Sequence, residues 1–426
     1  MIWNLSPPNG QGCGWRQRLR CCSRYWKHRP RLGIALGAVV AVVTSGLLLP
    51  RPEAMAIPQF ARSYTHEMIG VEPMTCLSCH SVTPKLNHRG EQFLARDYRL
   101  PEHLEDRRRK TFPVALWTTG RFENREGIES SEAYLPKVEL ISGGVIGELP
   151  LRYFVEWRVV SLETRGDGSR RDRSGRFEDL ELEWGIDGRH DLTIGQFRAL
   201  NQVDVSRRLS ISEPLLFSAS LSGEAHADPR IQSLGAFSPA GRSPGVSYSF
   251  RSLDGPTASD GLFHFITIPF VGELSLPLTR EARTEASFEL RGPAKGVYLE
   301  TFYRTGLNSV GIHGFLDRDS NYLVTGVGTL QQGDLYATAG LGVDRPRDAS
   351  SRIRRSVELK YLPTLGFERW RPGIGGRVES ISGQGPVYVP YLVLSGPNLT
   401  YSFLIQAEYR MQEGSDIFRI DFSTFF

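Results

Sequence analysis

The chain has 426 residues and a formal net charge of +4, with 51 Lys and Arg against 47 Asp and Glu. Residues 1–56 hold eight of the basic side chains and one acidic one, leaving 43 basic against 46 acidic, net −3, in the remainder. The basic balance belongs to the leader, so the rest lacks the electrostatic footprint of a nucleic-acid binder, and that class of partner is excluded.

The leader reads as a secretory signal. Arg16, Arg18, Arg20, Arg24, Lys27, Arg29 and Arg31 precede a run without charge, Leu32 to Leu49, and Ala54-Met55-Ala56 follows it. A basic region, an apolar core and a small-residue site are the three parts of an export signal. Cleavage after Ala56 starts the mature chain at Ile57. An uncleaved anchor is the alternative, because a run of this length nearly spans a bilayer. The basic region is unusually long, which points to a start codon further in. Of the five cysteines only Cys76 and Cys79 lie beyond the leader. No disulfide framework is available to the exported chain, so its stability must come from a large core or from lipid.

Cys76-Leu77-Ser78-Cys79-His80 reads C-x-x-C-H, the attachment signature of a c-type haem. The two thiols are spaced to add across the two vinyl groups of one porphyrin, and the adjacent His80 supplies the proximal imidazole to the iron. Half of a zinc site is the competing reading, but zinc needs further Cys or His ligands at knuckle spacing. The sequence offers no other paired cysteines beyond Cys22. Residues 57–110 are too few to build a large core, and one covalent haem c supplies much of what core they have, with Leu86, Phe93 and Leu94 as packing candidates. The sixth iron position is open among His66, Met68, Met74, His88 and His103, with His88 and Met68 ranked first. A Met ligand raises the potential relative to a second His.

From about Pro113 onward the chain consists of segments of eight to twelve residues with period two, separated by Gly, Pro, Asp, Asn and Ser. Tyr153, Val155, Trp157 and Val159 alternate with Arg152, Phe154, Glu156 and Arg158. Leu180, Leu182 and Trp184 alternate with Asp179, Glu181 and Glu183. Ala286, Phe288 and Leu290 alternate with Glu285, Ser287 and Glu289. Val357, Leu359 and Tyr361 alternate with Ser356, Glu358 and Lys360, and Phe418, Ile420, Phe422, Thr424 and Phe426 with Arg419, Asp421, Ser423 and Phe425. Such a pattern suits a soluble sandwich or a transmembrane barrel. The uninterrupted run over residues 111–426, polar faces charged with both signs, and a chain ending on an aromatic within its last strand favour the barrel.

Eighteen segments are predicted, starting near 113, 134, 151, 177, 190, 214, 244, 261, 283, 296, 308, 321, 334, 353, 373, 387, 400 and 415. Single-chain bacterial barrels have even strand numbers, and the expected fold is an all-β, transmembrane antiparallel β-barrel of about 16 strands, with 14 or 18 as alternatives. Gln331-Gln332-Gly333 and Glu413-Gly414 suit hairpin turns. The Arg-rich stretches Arg165 to Arg176 and Asp344 to Arg355 read as solvated loops, with contact to anionic lipid as the functional alternative. His190, His226, His264 and His313 read as loop or lumen residues.

Together these residues resemble a known family, the outer-membrane mono-haem cytochrome–porin fusion proteins of iron-oxidising bacteria. The resemblance rests on Pro58-x-Phe60-Ala61-Arg62, on Cys76-x-x-Cys79-His80, on Pro84-x-Leu86-Asn87-x-x-Gly90-x-x-Phe93 and on Tyr98. Gly195-Gln196-Phe197-Arg198 is similar to strands of phosphate-selective-type porins. The resemblance implies electron transfer across the bacterial outer membrane, from extracellular Fe(II) inward to a periplasmic c-type cytochrome. It implies an iron:cytochrome c oxidoreductase-like carrier.

Physical reasoning agrees with a haem inside the barrel. The hydrocarbon core is about 30 Å thick, so a haem at one rim leaves most of the gap uncrossed. Residues 57–110 are therefore expected to fold into the lumen as a haem-bearing plug. Lumen carboxylates such as Glu156, Asp179, Glu181, Glu183 and Asp421 would attract a cationic donor. The alternatives are a conduit for another small donor or for outward flow, and a transport porin whose haem segment is a plug or sensor.

Overall fold

A computed structural model of the chain describes residues 80–82, 85–86 and, between 114 and 425, all but 127–130, 147–148, 165–169, 173, 187–188, 199–208, 213, 217–241, 253–261, 272, 278–286, 292–294, 306–307, 318–320, 346–349, 364–370, 398–401 and 413–415. Among the described residues, 16 antiparallel strands close into one barrel. They are β1 (Val114–Arg125), β2 (Glu132–Val145), β3 (Leu151–Thr164), β4 (Arg176–Gly185), β5 (His190–Arg198), β6 (Arg242–Arg251), β7 (Leu262–Phe270) and β8 (Gly296–Thr305). The second half comprises β9 (Asn308–Asp317), β10 (Tyr322–Gln332), β11 (Leu335–Arg345), β12 (Arg352–Tyr361), β13 (Arg371–Ile381), β14 (Val387–Pro397), β15 (Ser402–Arg410) and β16 (Ile417–Phe425). Each strand pairs with its neighbours in the chain, and β16 closes the ring on β1, with Ile417 opposite Arg125 and Phe425 opposite Trp117.

Of the eighteen predicted segments, sixteen are barrel strands. The segment near 283 is one arm of a separate two-stranded hairpin, Glu273–Pro277 with Ser287–Arg291, in the connection between β7 and β8. The segment near 214 is not a strand; residues 209–212 and 214–216 fold inward instead. Half of Asp344 to Arg355 is strand rather than loop: Asp344 and Arg345 end β11 and Arg352–Arg355 begins β12.

The alternation sorts the wall into two faces. On β12 the outward Val357, Leu359 and Tyr361 are exposed, while Ser356, Glu358 and Lys360 are buried. The same division separates outward Leu182 and Trp184 from inward Asp179 on β4. A surface with apolar groups outside and charged groups buried inside inverts the soluble arrangement and is that of a barrel bathed in lipid. Closure is what makes this tolerable, since an open edge would leave backbone N–H and C=O groups unpaired in hydrocarbon.

The connections differ at the two ends. One end carries 165–175, 199–241 and 271–295; the other carries tight links such as 306–307 and 333–334. Gly333, with φ of 56°, supplies the left-handed residue that the β10–β11 turn requires. By the usual asymmetry of such barrels the long connections are outside and the short ones periplasmic. The connection between β3 and β4 adds a short strand, Arg170–Asp172, to β3. There Ser174 hydrogen-bonds the Asp172 carboxylate and holds it below the ordinary range.

Val357 stands mid-strand on the lipid face. Val357→Arg should destabilise the barrel by about 2–4 kcal/mol, measured by urea unfolding from lipid vesicles; an unchanged stability would place this face out of the membrane.

Candidate functional site

The lumen is built from the inward row of every strand, and its two walls differ in chemistry. Strands β16 and β1 to β6 carry matched charges. Arg121 donates from Nε and Nη2 to the two Asp421 carboxylate oxygens, both at 2.7 Å. Glu123 accepts from Arg125 and Arg419, each at 2.6 Å. Glu139 lies between Lys137 and Arg158 at 2.9 Å from each. Arg152 reaches Glu183 at 2.8 Å and Asp191 at 2.7 Å. A register shift between Glu156 and Trp157 against β4 accompanies the meeting of Glu178 and Asp179, adjacent in sequence, at the Arg242 guanidinium at 2.7 Å each, with Glu156 at 3.0 Å. Of the carboxylates expected to line the lumen, Glu156, Asp179, Glu183 and Asp421 do so, and each is held by an arginine. They form a stiff polar wall whose negative charge is locally balanced, which weakens their pull on a free cation.

Residues 209–212 and 214–216 form an inward strap across the lumen. They belong to the connection between β5 and β6, yet they are fastened to β12, β13 and β15 on the far side of the ring. Arg377 donates to Ser210 Oγ, to Ser212 O at 3.1 Å and to Ser212 Oγ at 2.9 Å. Glu408 accepts from Ser212 N at 2.9 Å, and Glu379 from Leu215 N at 2.8 Å. Arg354, paired with Asp344 at 2.9 Å, donates to Leu215 O at 2.8 Å, and Gln406 to Leu209 O at 2.7 Å. Leu209 packs with Tyr336, Leu362, Tyr391, Val393 and Leu404, and Leu215 with Ile381, Val387 and Val389. The outer faces opposite these anchors, Val357, Val378 and Leu392, stay exposed, so the strap lies inside. Glycines clear its path: a side chain at Gly340 would collide with Leu216.

The second wall, β7 to β10, is apolar. Ile266, Ile268, Phe270, Tyr298, Phe315, Leu323 and Val327 form a buried cluster with Phe197 and the strap residue Leu216. Within it sit Glu300 and His313, opposite each other in register. Tyr298 Oη donates to Glu300 Oε2 at 2.9 Å and is 2.8 Å from His313 Nδ1. Among the described residues no three His, Cys, Asp or Glu side chains converge.

Of the haem-motif residues, His80 opens a short strand, His80–Val82, that pairs with Lys85–Leu86, His80 opposite Leu86. Cys76, Cys79, Met68 and His88 lie outside the described residues, as do the export signal and the terminal Phe426. The Cα atoms of His80–Val82 come within 8 Å of those of β13. On the outer face of that strand Ile374 and Val378 remain 54% and 46% exposed. The hairpin is therefore not laid over the lipid side of β13, which leaves the lumen side and its mouth. A donor set of two thiols and one imidazole in C-x-x-C-H spacing fits a covalent haem.

The strap was not legible from local pattern. Leu209-Ser210-Ile211-Ser212 alternates like a strand, and only Pro214, which a central strand excludes, hints otherwise.

No family model matches the sequence, and no curated protein does. Among solved structures the barrel is similar to an anion-selective porin from Comamonas acidovorans, with 9% identity, a TM-score of 0.44 and coverage of 74% of this chain and 98% of that one. It is similar to the outer membrane protein OpdK from Pseudomonas aeruginosa, with 12% identity, a TM-score of 0.42 and coverage of 74% and 97%. The loop L8 deletion mutant of OmpT, an outer membrane protein of Vibrio cholerae, gives 10% identity, a TM-score of 0.40 and coverage of 74% and 99%.

Arg377→Met removes the strap's main anchor and the cation beside Glu379. Breaking a buried pair from one side costs about 3–5 kcal/mol, so lower stability and a larger single-channel conductance in planar bilayers are expected. An unchanged conductance would show that the strap does not limit the passage.

Proposed function

We propose that the chain is an outer-membrane electron-transfer protein in which one covalently bound haem c, carried by residues 57–110, occupies the lumen of the barrel. Electrons pass from extracellular Fe(II), or another small donor, to a periplasmic c-type cytochrome. The observation that carries this reading is the position of the His80–Val82 backbone beside β13, away from the lipid face, in a chain whose motif joins two thiols and an imidazole.

In this reading Cys76 and Cys79 would hold the porphyrin covalently, and His80, with His88 or Met68 as a second candidate, would supply ligands to its iron. The bound haem supplies a one-electron couple. The barrel excludes lipid from it. The hydrocarbon core is about 30 Å thick, and a carrier within the lumen shortens each electron step relative to one at the rim. The strap and the ion-paired wall narrow the aqueous path, so a small donor can approach while larger solutes are held back. Because Glu156, Asp179 and Asp421 are tied to arginines, they steer cations without gripping them, which suits release of an oxidised product.

A second reading is a transport porin with a haem-bearing plug or sensor. What favours it is the lumen itself: a closed 16-strand cylinder with a polar wall faced by a strap is also the form of a solute pore.

Adding Fe(II) to the detergent-purified protein should reduce the haem within the mixing time of a stopped-flow absorbance measurement. Cys76→Ser/Cys79→Ser should leave a barrel with normal heat-modifiable gel migration, no covalent haem and no Fe(II)-dependent change. A wild-type haem that stays oxidised in Fe(II), together with a large steady bilayer conductance, would replace the conduit by the porin.

A further inference from the structure

We infer that Arg345 and Arg355 form a binding site on the outer surface of the barrel for the phosphate groups of an anionic lipid in the outer leaflet. Residues opposite each other in a ladder point to the same side of the sheet, and alternate residues of a strand share a face. The partners run without a break from Val297 opposite Leu316 on β8 and β9 to Tyr409 opposite Phe418 on β15 and β16. Followed along these ladders, every Asp, Glu, Lys and Arg of the described residues in β8 to β16 falls in the inward row, except Arg345 and Arg355. Both are exposed, and each stands between or beside buried neighbours: Asp344 next to Arg345, and Arg354 and Ser356 on either side of Arg355.

The position of the two cations matches a membrane interface. Arg355 shares the outward row of β12 with Ile353, Val357, Leu359 and Tyr361, all exposed. A cation on the lipid face is costly at mid-membrane and far less so near the interface. Arg355 is the fourth residue of β12 from the end that carries the long connections. At roughly 3.3 Å per residue and a strand tilt of about 35–45°, that is about 8 Å inside the rim. Its long stem carries the guanidinium up to headgroup level. Arg345 is the last residue of β11, four positions beyond Leu341, the partner of Arg355. By the asymmetry that puts the long connections outside, this rim faces the outer leaflet.

The charge must be balanced from the membrane. Neither arginine forms a hydrogen bond or an ion pair among the described residues. The nearby carboxylate, Asp344, points inward and is taken by Arg352 and Arg354. A guanidinium presents a planar fork of donors that matches phosphate oxygens two at a time. A hydroxyl stands opposite each cation on the same outward row, Tyr322 opposite Arg345 and Ser380 opposite Arg355. These donors span four adjacent strands, β10 to β13. The two arginines are separated by about 13 Å along the wall, at roughly 3.3 Å per position, which suits a headgroup bearing two phosphates. The site does not rest on the conduit reading, since none of these side chains faces the lumen.

The test uses the full-length protein in detergent, titrated with bisphosphorylated lipid A and with the same lipid after removal of its phosphates, and read by native mass spectrometry. Wild type should bind the phosphorylated form at least tenfold more tightly. Arg345→Gln/Arg355→Gln should lose that preference while keeping heat-modifiable gel migration, with each single variant between. Equal affinity of wild type for the two lipids, or a double variant that keeps the preference, overturns the site. Inorganic phosphate at millimolar concentration should leave the lipid bound; displacement would overturn lipid as the ligand. Should the double variant fail to fold, Arg355→Gln alone decides, and wild-type discrimination in that variant overturns the site.

Discussion

A bilayer offers the backbone no water. Every N–H and C=O that crosses it must be paired within the protein. In this chain the demand is met by sixteen antiparallel ladders that close β16 onto β1. Closure then constrains every side chain in the wall. One face of each strand must please hydrocarbon, so Val357, Leu359, Ile374 and Val378 point outward. Within the wall, polar chemistry is confined to the inward row, where groups meet when they are two apart on a strand or opposite across a ladder.

The lumen meets that restriction with two walls of opposite character. From β16 to β6 the inward row holds acids and bases within hydrogen-bonding distance of one another, an arrangement that satisfies buried charges without attracting much from outside. From β7 to β10 the row is apolar, interrupted by Tyr298, Glu300 and His313. The strap bridges the two styles. Its backbone is held by Arg354, Glu379, Gln406 and Glu408, and Arg377 binds it through Ser210 and Ser212. Its leucines fill apolar niches at three places. Loss of one charged anchor would leave its partner buried and uncompensated, which makes each of these contacts costly to break.

Together these features give the barrel surfaces of distinct character. Lipid meets the outer face, the strap crosses the lumen, and the ion-paired wall keeps its charges locally balanced. The His80 hairpin lies near β13, one of the strands that anchors the strap. The Tyr298–Glu300–His313 cluster stands on β8 and β9.

Much of this was legible in the chain before folding. Period-two alternation of Leu182 and Trp184 with Asp179 and Glu181 reveals a wall with two faces, and eighteen such segments bracket a 16-strand ring. The C-x-x-C-H motif reads by its spacing as a haem attachment signature. What alternation cannot say is which partner a segment takes. The segment around Leu209 to Ser212 looks like a strand, but the Ser212 and Leu215 backbones find their hydrogen-bond partners in Arg377, Glu379 and Glu408 across the barrel, and Ser287–Arg291 pairs with Glu273–Pro277 in a hairpin separate from the ring. The ion pairs of Arg242 depend on a register shift, and the meeting of Glu300 with His313 depends on the β8–β9 register. The sequence by itself determined the face each residue would occupy, because side chains on an extended strand must alternate. Only the tertiary structure decided which inward groups would touch, because contact across a lumen is set by ring closure and register rather than by distance along the chain.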